Sequence, residues 1–134
     1  IDDIRAALAV SQLQRLEKNN EKRSRIVDMY KSQLAGSDII VPFFPVFGRL
    51  AYHIFPVLIP ERSRRSEVIE KLKSKGIQTS IHYVPVPYFS IYRNRKARIP
   101  RLEKIADRIV TLPLYPKMGM KETKYVCDML LESI

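Results

Sequence analysis

The 134-residue chain is poor in the residues from which disulfide and metal sites are built. It contains one cysteine, Cys127, and two histidines, His53 and His82. A single thiol cannot close an internal disulfide, which excludes a disulfide-built secreted scaffold and also a cysteine-cluster zinc or iron–sulfur site. With only two histidines available, we expect no metal site.

Glycine and long apolar runs are also scarce. The four glycines are far apart in the chain, and none of the glycine-rich phosphate-binding motifs is present, which excludes that kind of phosphate cradle. The two apolar runs, 39–47 and 50–59, are shorter than the roughly 20 residues that a membrane span needs, and prolines interrupt both. No secretory leader pattern opens the chain. We therefore expect a cytoplasmic protein without a membrane span.

Positive charge is abundant and unevenly distributed. The net charge is +10, and residues 61–98 contain ten basic and three acidic side chains. A local excess of this kind suits an anionic partner such as a phosphate, a nucleotide or a nucleic acid. A basic surface that is simply solvated is the alternative, and composition does not decide between the two.

The hydrophobic pattern predicts an α+β fold: a two-layer small domain in which helices pack on a small, mostly antiparallel or mixed sheet. Residues 2–35 are expected to form one long N-terminal helix, or two helices that meet at a bend near residues 19–20. Gly36 and Gly76 are expected to end helices. The other predicted elements are strands at 37–41, 51–59 and 77–83, helices at 66–74 and from Leu102 through Ile109, a short strand, and a final helix through Tyr125 and Leu130.

The densest group of reactive side chains follows the predicted strand at 77–83. His82 and Tyr83 begin it, and a basic loop at 84–99 continues it through Tyr92, Arg93 and Arg95. Histidine donates or accepts a proton near neutral pH, and arginine binds phosphate through paired hydrogen bonds. The alternative for His82 is a structural role, as a histidine hydrogen-bonded at the end of a strand. His53, in the middle of a predicted strand, is interpreted as a core or interface histidine.

Five ordered stretches of the chain resemble the small domain of the DegT/StrS aminotransferases, a pyridoxal phosphate (PLP) family with an aspartate-aminotransferase-like fold. They are residues 1–10 with Gln12-Leu13 and Glu21-Lys22-Arg23; Tyr52-His53-Ile54-Phe55; Arg65, Leu72 and Gly76-Ile77-Gln78-Thr79; His82-Tyr83-Val84-Pro85-Val86 with Tyr92-Arg93; and Leu112-Pro113-Leu114-Tyr115-Pro116-Lys117-Met118. Together they extend over essentially all 134 residues.

The resemblance implies that the full-length protein transfers an amino group, usually from glutamate, to a keto-sugar attached to a nucleotide. PLP would carry the amino group, and two subunits would form a homodimer. His82 and Tyr83 would face the substrate side of the cleft. Tyr92, Arg93 and Arg95 are expected to belong to the substrate-binding set as well, and charge suggests that the two arginines face the nucleotide diphosphate.

Two features depart from the family pattern. Pro87 stands where many members have a second histidine, and no lysine here resembles the family's Ser-x-x-Lys segment that forms the Schiff base with PLP. The chain begins with Ile1 rather than methionine. Residues 1–134 are therefore interpreted as a C-terminal small domain without its PLP-binding large domain. Alone, the chain is expected to be inactive, to bind no cofactor and to contain no catalytic residue.

Three alternatives remain open from the sequence. Some relatives dehydrate sugars instead of transferring an amino group. The chain could also be a non-catalytic dimerisation module from a split or decayed gene. A basic nucleic-acid-binding domain is the third, although no recognition-helix motif or RNP-type aromatic strand supports it.

Overall fold

The computed structural model describes residues 2–42, 48, 50–92 and 98–134. Within them, helices surround a two-stranded antiparallel sheet, which confirms the α+β prediction. No helix in these ranges is long and apolar enough to cross a membrane. The elements are α1 Asp3–Leu13, α2 Leu16–Leu34, β1 Phe55–Leu58, α3 Arg65–Ser74, two 3-10 turns Val86–Tyr88 and Ser90–Tyr92, α4 Pro100–Ala106, β2 Ile109–Leu112 and α5 Met120–Ser133.

The predicted strand at 37–41 is reduced to a single bridge between Ile40 and Leu58 at the outer edge of β1. The two residues exchange both backbone hydrogen bonds, at 3.0 and 2.8 Å. Continuing this antiparallel register would bring Pro42 opposite Pro56 on one side and would reach Pro60 on the other. Because proline has no backbone N–H, the ladder cannot extend normally in either direction.

The predicted strand at 77–83 likewise forms one bridge, at the opposite edge of the sheet. Ser80 exchanges backbone hydrogen bonds with Thr111 of β2, at 3.1 and 2.8 Å. Extending the register would place Gln78 opposite Pro113, which has no donor, and the chain bends at His82. Four extended segments therefore lie side by side, but only the central two are full strands.

The core lies between the sheet and the helices α2, α3 and α5. Along α2, the buried residues Ile26, Tyr30 and Leu34 recur at the four-residue spacing of one helical face. Tyr30 stacks on Phe55 of β1, with ring centroids 4.8 Å apart, and donates a 2.8 Å hydrogen bond to the carbonyl of Pro113. The interior is apolar enough that burial raises the pKa of the Cys127 thiol to about 11.

Of the two alternatives for the N-terminal region, the two-helix one is confirmed, but the predicted position of the break near residues 19–20 is wrong. The break lies at Gln14 and Arg15, where the N–H of Arg15 donates to Gln12 over three residues instead of four. Asn20 lies inside α2, where its side-chain oxygen accepts a hydrogen bond from Arg23, one turn later. Helix α1 begins as predicted, with the Asp2 carboxylate accepting the N–H of Arg5 at 2.9 Å.

The helix predicted through Ile109 ends at Ala106, and Ile109 instead begins β2. The N–H of Arg108 closes a tight turn onto Ile105, which stops the helix. The Arg108 guanidinium and backbone then exchange hydrogen bonds with Ile59, just after β1. These contacts turn the chain into the sheet, which periodicity alone does not reveal.

Candidate functional site

His82 lies where the chain leaves the edge of the sheet, two residues after the Ser80 bridge to Thr111. Side chains two residues apart on an extended segment share a face, so His82 is a diagonal neighbour of Thr111. The structure bears this out: Nδ1 of His82 and Oγ1 of Thr111 are hydrogen-bonded at 3.0 Å. The imidazole is half-buried, whereas Thr111 is only 5% exposed.

Tyr83 lies against His82 at the rim of the domain. The two rings meet edge to face, with centroids 4.8 Å apart, and the peptide bond between the residues is cis. Tyr83 is 72% exposed. The structure therefore brings together the predicted histidine and tyrosine, one ring held by the sheet and the other directed to solvent.

Residues 83–92, called here the 83–92 loop, follow as two 3-10 turns with an apolar and aromatic surface. Its exposed apolar and aromatic members are Tyr83, Val84, Val86, Tyr88, Phe89, Ile91 and Tyr92. The N–H of Tyr88 donates to Pro85 and that of Tyr92 to Phe89, both at 2.9 Å. Short local hydrogen bonds thus shape this loop, and its side chains remain accessible to a ligand.

The remaining predicted site residues are only partly placed. Tyr92 ends the second 3-10 turn and is 37% exposed, and among the described residues it has no ring contact with His82. Arg93 and Arg95 lie outside the described residues. The interpretation of those two arginines as diphosphate contacts stays a prediction.

The core interpretation of His53 is wrong. The strand begins at Phe55, and the left-handed backbone of Tyr52, with φ of 45°, interrupts the extended chain just before His53. The side chain of His53 is exposed. An interface role for it stays a prediction.

Part of the basic excess at 61–98 has structural partners. Arg62 forms a 2.7 Å ion pair with Asp38, Arg65 donates to the carbonyl of Ala106, and Lys71 donates at 3.1 Å to the carbonyl of Ser133. Two of these three cations tie the ends of neighbouring helices to one another. At least these three of the ten basic side chains are therefore already engaged within the domain.

Within the described residues, no lysine is buried. A Schiff-base lysine needs a sheltered ε-amino group, and every described lysine is at least partly exposed. A glycine cradle is not formed at Gly119 either, because a Cβ there would lie 2.3 Å from the Glu122 carboxylate, a side chain rather than an open ligand cavity. Among the described residues, no group of three histidine, cysteine, aspartate or glutamate side chains could hold a metal ion.

Sequence reasoning missed Thr111 as part of the site. It is the one hydroxyl-bearing residue in β2, which is otherwise Ile109, Val110 and Leu112, and all four residues are buried. A polar residue inside a buried strand needs a partner, and that signal was available. Which residue would supply the partner depends on strand pairing across 29 positions of sequence, which no local pattern provides.

Comparison with known proteins identifies the family. The model of the DegT/DnrJ/EryC1/StrS aminotransferase family matches residues 1–131. The chain belongs to this family. It is 34% identical over 128 residues to the spore coat polysaccharide biosynthesis protein SpsC of Bacillus subtilis, and 31% identical over 124 residues to the uncharacterised protein MJ1066 of Methanocaldococcus jannaschii. Each alignment covers 87% of this chain and 32% of the relative.

Solved structures agree with the family assignment. Spr1654 of Streptococcus pneumoniae, a candidate sugar aminotransferase, matches 99% of this chain in its PLP form, with a TM-score of 0.90 and 27% identity. DesV of S. venezuelae, solved with a ketimine intermediate, matches 98% with a TM-score of 0.85 and 28% identity. In both cases this chain covers 36% of the solved one. It therefore spans about a third of the length of these family members.

Proposed function

We propose that this chain is the C-terminal small domain of a PLP-dependent aminotransferase that acts on a nucleotide-linked keto-sugar, with glutamate as the amino donor. The observation that carries the proposal is the family match over residues 1–131. The fold of a solved family member in its PLP form, followed over 99% of this chain, supports it. The same relatives extend far beyond the region matched here.

In this proposal the PLP lysine lies outside the chain, because the described lysines are all at least partly exposed and the family's lysine segment is missing. When bound, PLP supplies the electron sink and carries the amino group. The domain contributes to the substrate side of the cleft. We also propose a homodimer: α1 buries no residue within this chain, and Ile4, Leu8 and Leu13 on it are at least 60% exposed, as expected for a helix covered by other parts of the assembly.

His82 and Tyr83 are proposed to contact the substrate. The hydrogen bond to Thr111 fixes the position of the imidazole, and the exposed phenol of Tyr83 stands beside it. Together they offer two polar groups on an apolar rim, an arrangement that orients a polar ligand while limiting its access to water. Tyr92, Arg93 and Arg95 continue the same segment and are proposed to contact the substrate, with the two arginines facing the nucleotide diphosphate.

Steady-state kinetics of the intact protein with a nucleotide keto-sugar and glutamate tests the proposal. A charge-assisted hydrogen bond to a diphosphate contributes about 1.5–3 kcal/mol, so Arg93→Ala or Arg95→Ala should raise KM for the sugar nucleotide about 10- to 150-fold. Since this contact is remote from the reacting carbon, kcat should change less. His82→Gln should instead lower kcat if the ring is beside the reacting carbon.

Arg101→Ala is the matched control, because it removes one exposed positive charge from α4 without touching the predicted set. Its KM should remain close to that of the unmodified protein. Unchanged KM in both Arg93 and Arg95 variants would remove these arginines from the site. A dehydrated sugar product without amino transfer would assign the protein to the dehydratase relatives, and absence of both reactions would favour a non-catalytic module.

A further inference from the structure

Thr111 is in an unusual position for a threonine hydroxyl. It belongs to β2, is 5% exposed, and uses its backbone N–H and carbonyl for the bridge to Ser80. Within the described ranges, Nδ1 of His82 is the one hydrogen-bond partner of its hydroxyl. A buried hydroxyl that donates no hydrogen bond costs free energy, so the Thr111 proton has one favourable destination.

We propose that Thr111 is a positioning residue that selects the tautomer of His82: the hydroxyl donates to Nδ1, and the imidazole proton is therefore held on Nε2. This inference rests on the proposed function only for its consequence in catalysis. The hydrogen bond itself is independent of what the protein binds.

The tautomer decides what His82 can offer a ligand. The two ring nitrogens lie on different edges of the imidazole, and Nδ1 is held against the sheet. No described residue bonds to Nε2. With its proton fixed there, His82 presents an N–H donor, so the group it recognises is an oxygen acceptor on the bound sugar nucleotide.

Tyr83 adds a second constraint on the same ring. Its edge-to-face contact, at a centroid separation of 4.8 Å, limits rotation of the imidazole. The hydrogen bond to Thr111 therefore sets the position of the imidazole proton, and the two contacts together set the orientation of the ring. A contact made by a positioned donor loses strength when either the proton or the orientation changes.

The direct test is nitrogen-15 NMR of histidine-labelled intact protein, with the His82 signals assigned by their loss in His82→Gln. The unmodified protein should show a protonated Nε2 and an unprotonated Nδ1 for His82 at a pH where the ring is neutral. Thr111→Val should shift these signals toward the mixed tautomers of the exposed His53. A protonated Nδ1 in the unmodified protein, or no change in Thr111→Val, would overturn the proposal.

Kinetics tests the consequence. Thr111→Val should lower kcat/KM for the sugar nucleotide about 2- to 10-fold, the range expected for one neutral hydrogen bond. Thr111→Ser, which keeps the hydroxyl, should restore most of it. In a His82→Gln background Thr111→Val should have no further effect, because it acts through the imidazole. An equal loss in that background would show a merely structural role.

Thr123→Val is the matched control, since Thr123 is also buried and its hydroxyl donates to the Gly119 carbonyl at the start of α5. It should leave the His82 signals and kcat/KM unchanged even if it lowers the melting temperature. If the unmodified protein has no aminotransferase activity, the proposed function fails while the NMR result still decides the role of Thr111.

Discussion

Tyr30 and Tyr83 are the same residue type in opposite surroundings. Tyr30 is fully buried, stacks on Phe55 and donates to the Pro113 carbonyl, and burial raises its pKa far above the ordinary value. Tyr83 is 72% exposed and lies against one ring, that of His82. The core uses its aromatic residues for stability, whereas the 83–92 loop keeps them accessible. Substitutions in the two regions should therefore affect different measurements.

The largest contrast in stability is expected on α5, between two adjacent leucines. Leu130 is fully buried in the core and Leu131 is 37% exposed. Leu130→Ala leaves a cavity and should lower the free energy of unfolding by about 2–5 kcal/mol, whereas Leu131→Ala should change it by about 0.5 kcal/mol. Urea unfolding of the 134-residue chain measures both. Equal losses would mean that Leu130 and Leu131 do not lie on a buried and an exposed face of α5.

A smaller change in the free energy of unfolding should appear as the pH rises, because of Cys127. Burial raises its pKa from 9.0 to about 11, and the nearby Asp128 carboxylate adds to the rise. Below pH 9 the thiol is neutral in both states. Between pH 9 and 11 the unfolded thiol loses its proton while the folded one keeps it, so the free energy of unfolding should fall by up to about 3 kcal/mol.

The matched variant for this effect is Cys127→Ala, which removes the titrating group. Its free energy of unfolding should depend less steeply on pH than that of the unmodified chain over the same interval. Tyr30 contributes in the same direction above pH 10 and remains in both proteins, so the difference isolates the thiol. Parallel curves would contradict a buried Cys127.

The smallest difference in stability is expected between variants of the two tyrosines. Tyr30→Phe keeps the stacked ring but leaves the Pro113 carbonyl without its donor, and should cost about 1–2 kcal/mol. Tyr83→Phe removes an exposed hydroxyl and should leave thermal unfolding nearly unchanged, while it should affect substrate binding in the intact protein. A lower melting temperature in Tyr83→Phe would indicate that the Tyr83 hydroxyl contributes to stability instead of only to ligand binding.

Local signals in the sequence predicted the elements whose causes are local. Gly36 and Gly76 follow helix ends and adopt φ of 77° and 75°, as their positions after the apolar periodicity indicated. The segments at 37–41 and 77–83 were predicted as strands, but each forms a single bridge at an edge of the sheet, and the prolines that restrict them act partly through the partner strand. Their pairing register had to be known before that effect could be recognised.

The residues of the candidate site also fall into those that local sequence predicted and those that it did not. The pair His82 and Tyr83 was found from residue type and position at the end of an extended segment, and the structure brings the rings together. Thr111 was missed because its contact with His82 joins distant parts of the chain. The exposure of His53 was also missed. The alternating pattern predicted a strand over 51–59, whereas the observed strand begins at Phe55, after His53.

In the proposed function this domain supplies substrate contacts while the cofactor lysine lies elsewhere in the protein. The most direct measurement is borohydride reduction of the intact, PLP-loaded protein, followed by mapping of the labelled lysine by mass spectrometry. We expect one stably labelled lysine outside residues 1–134, and no aldimine absorbance when the 134-residue chain alone is mixed with PLP. Specific labelling of a lysine within these residues, accompanied by an aldimine band in the isolated chain, would contradict it.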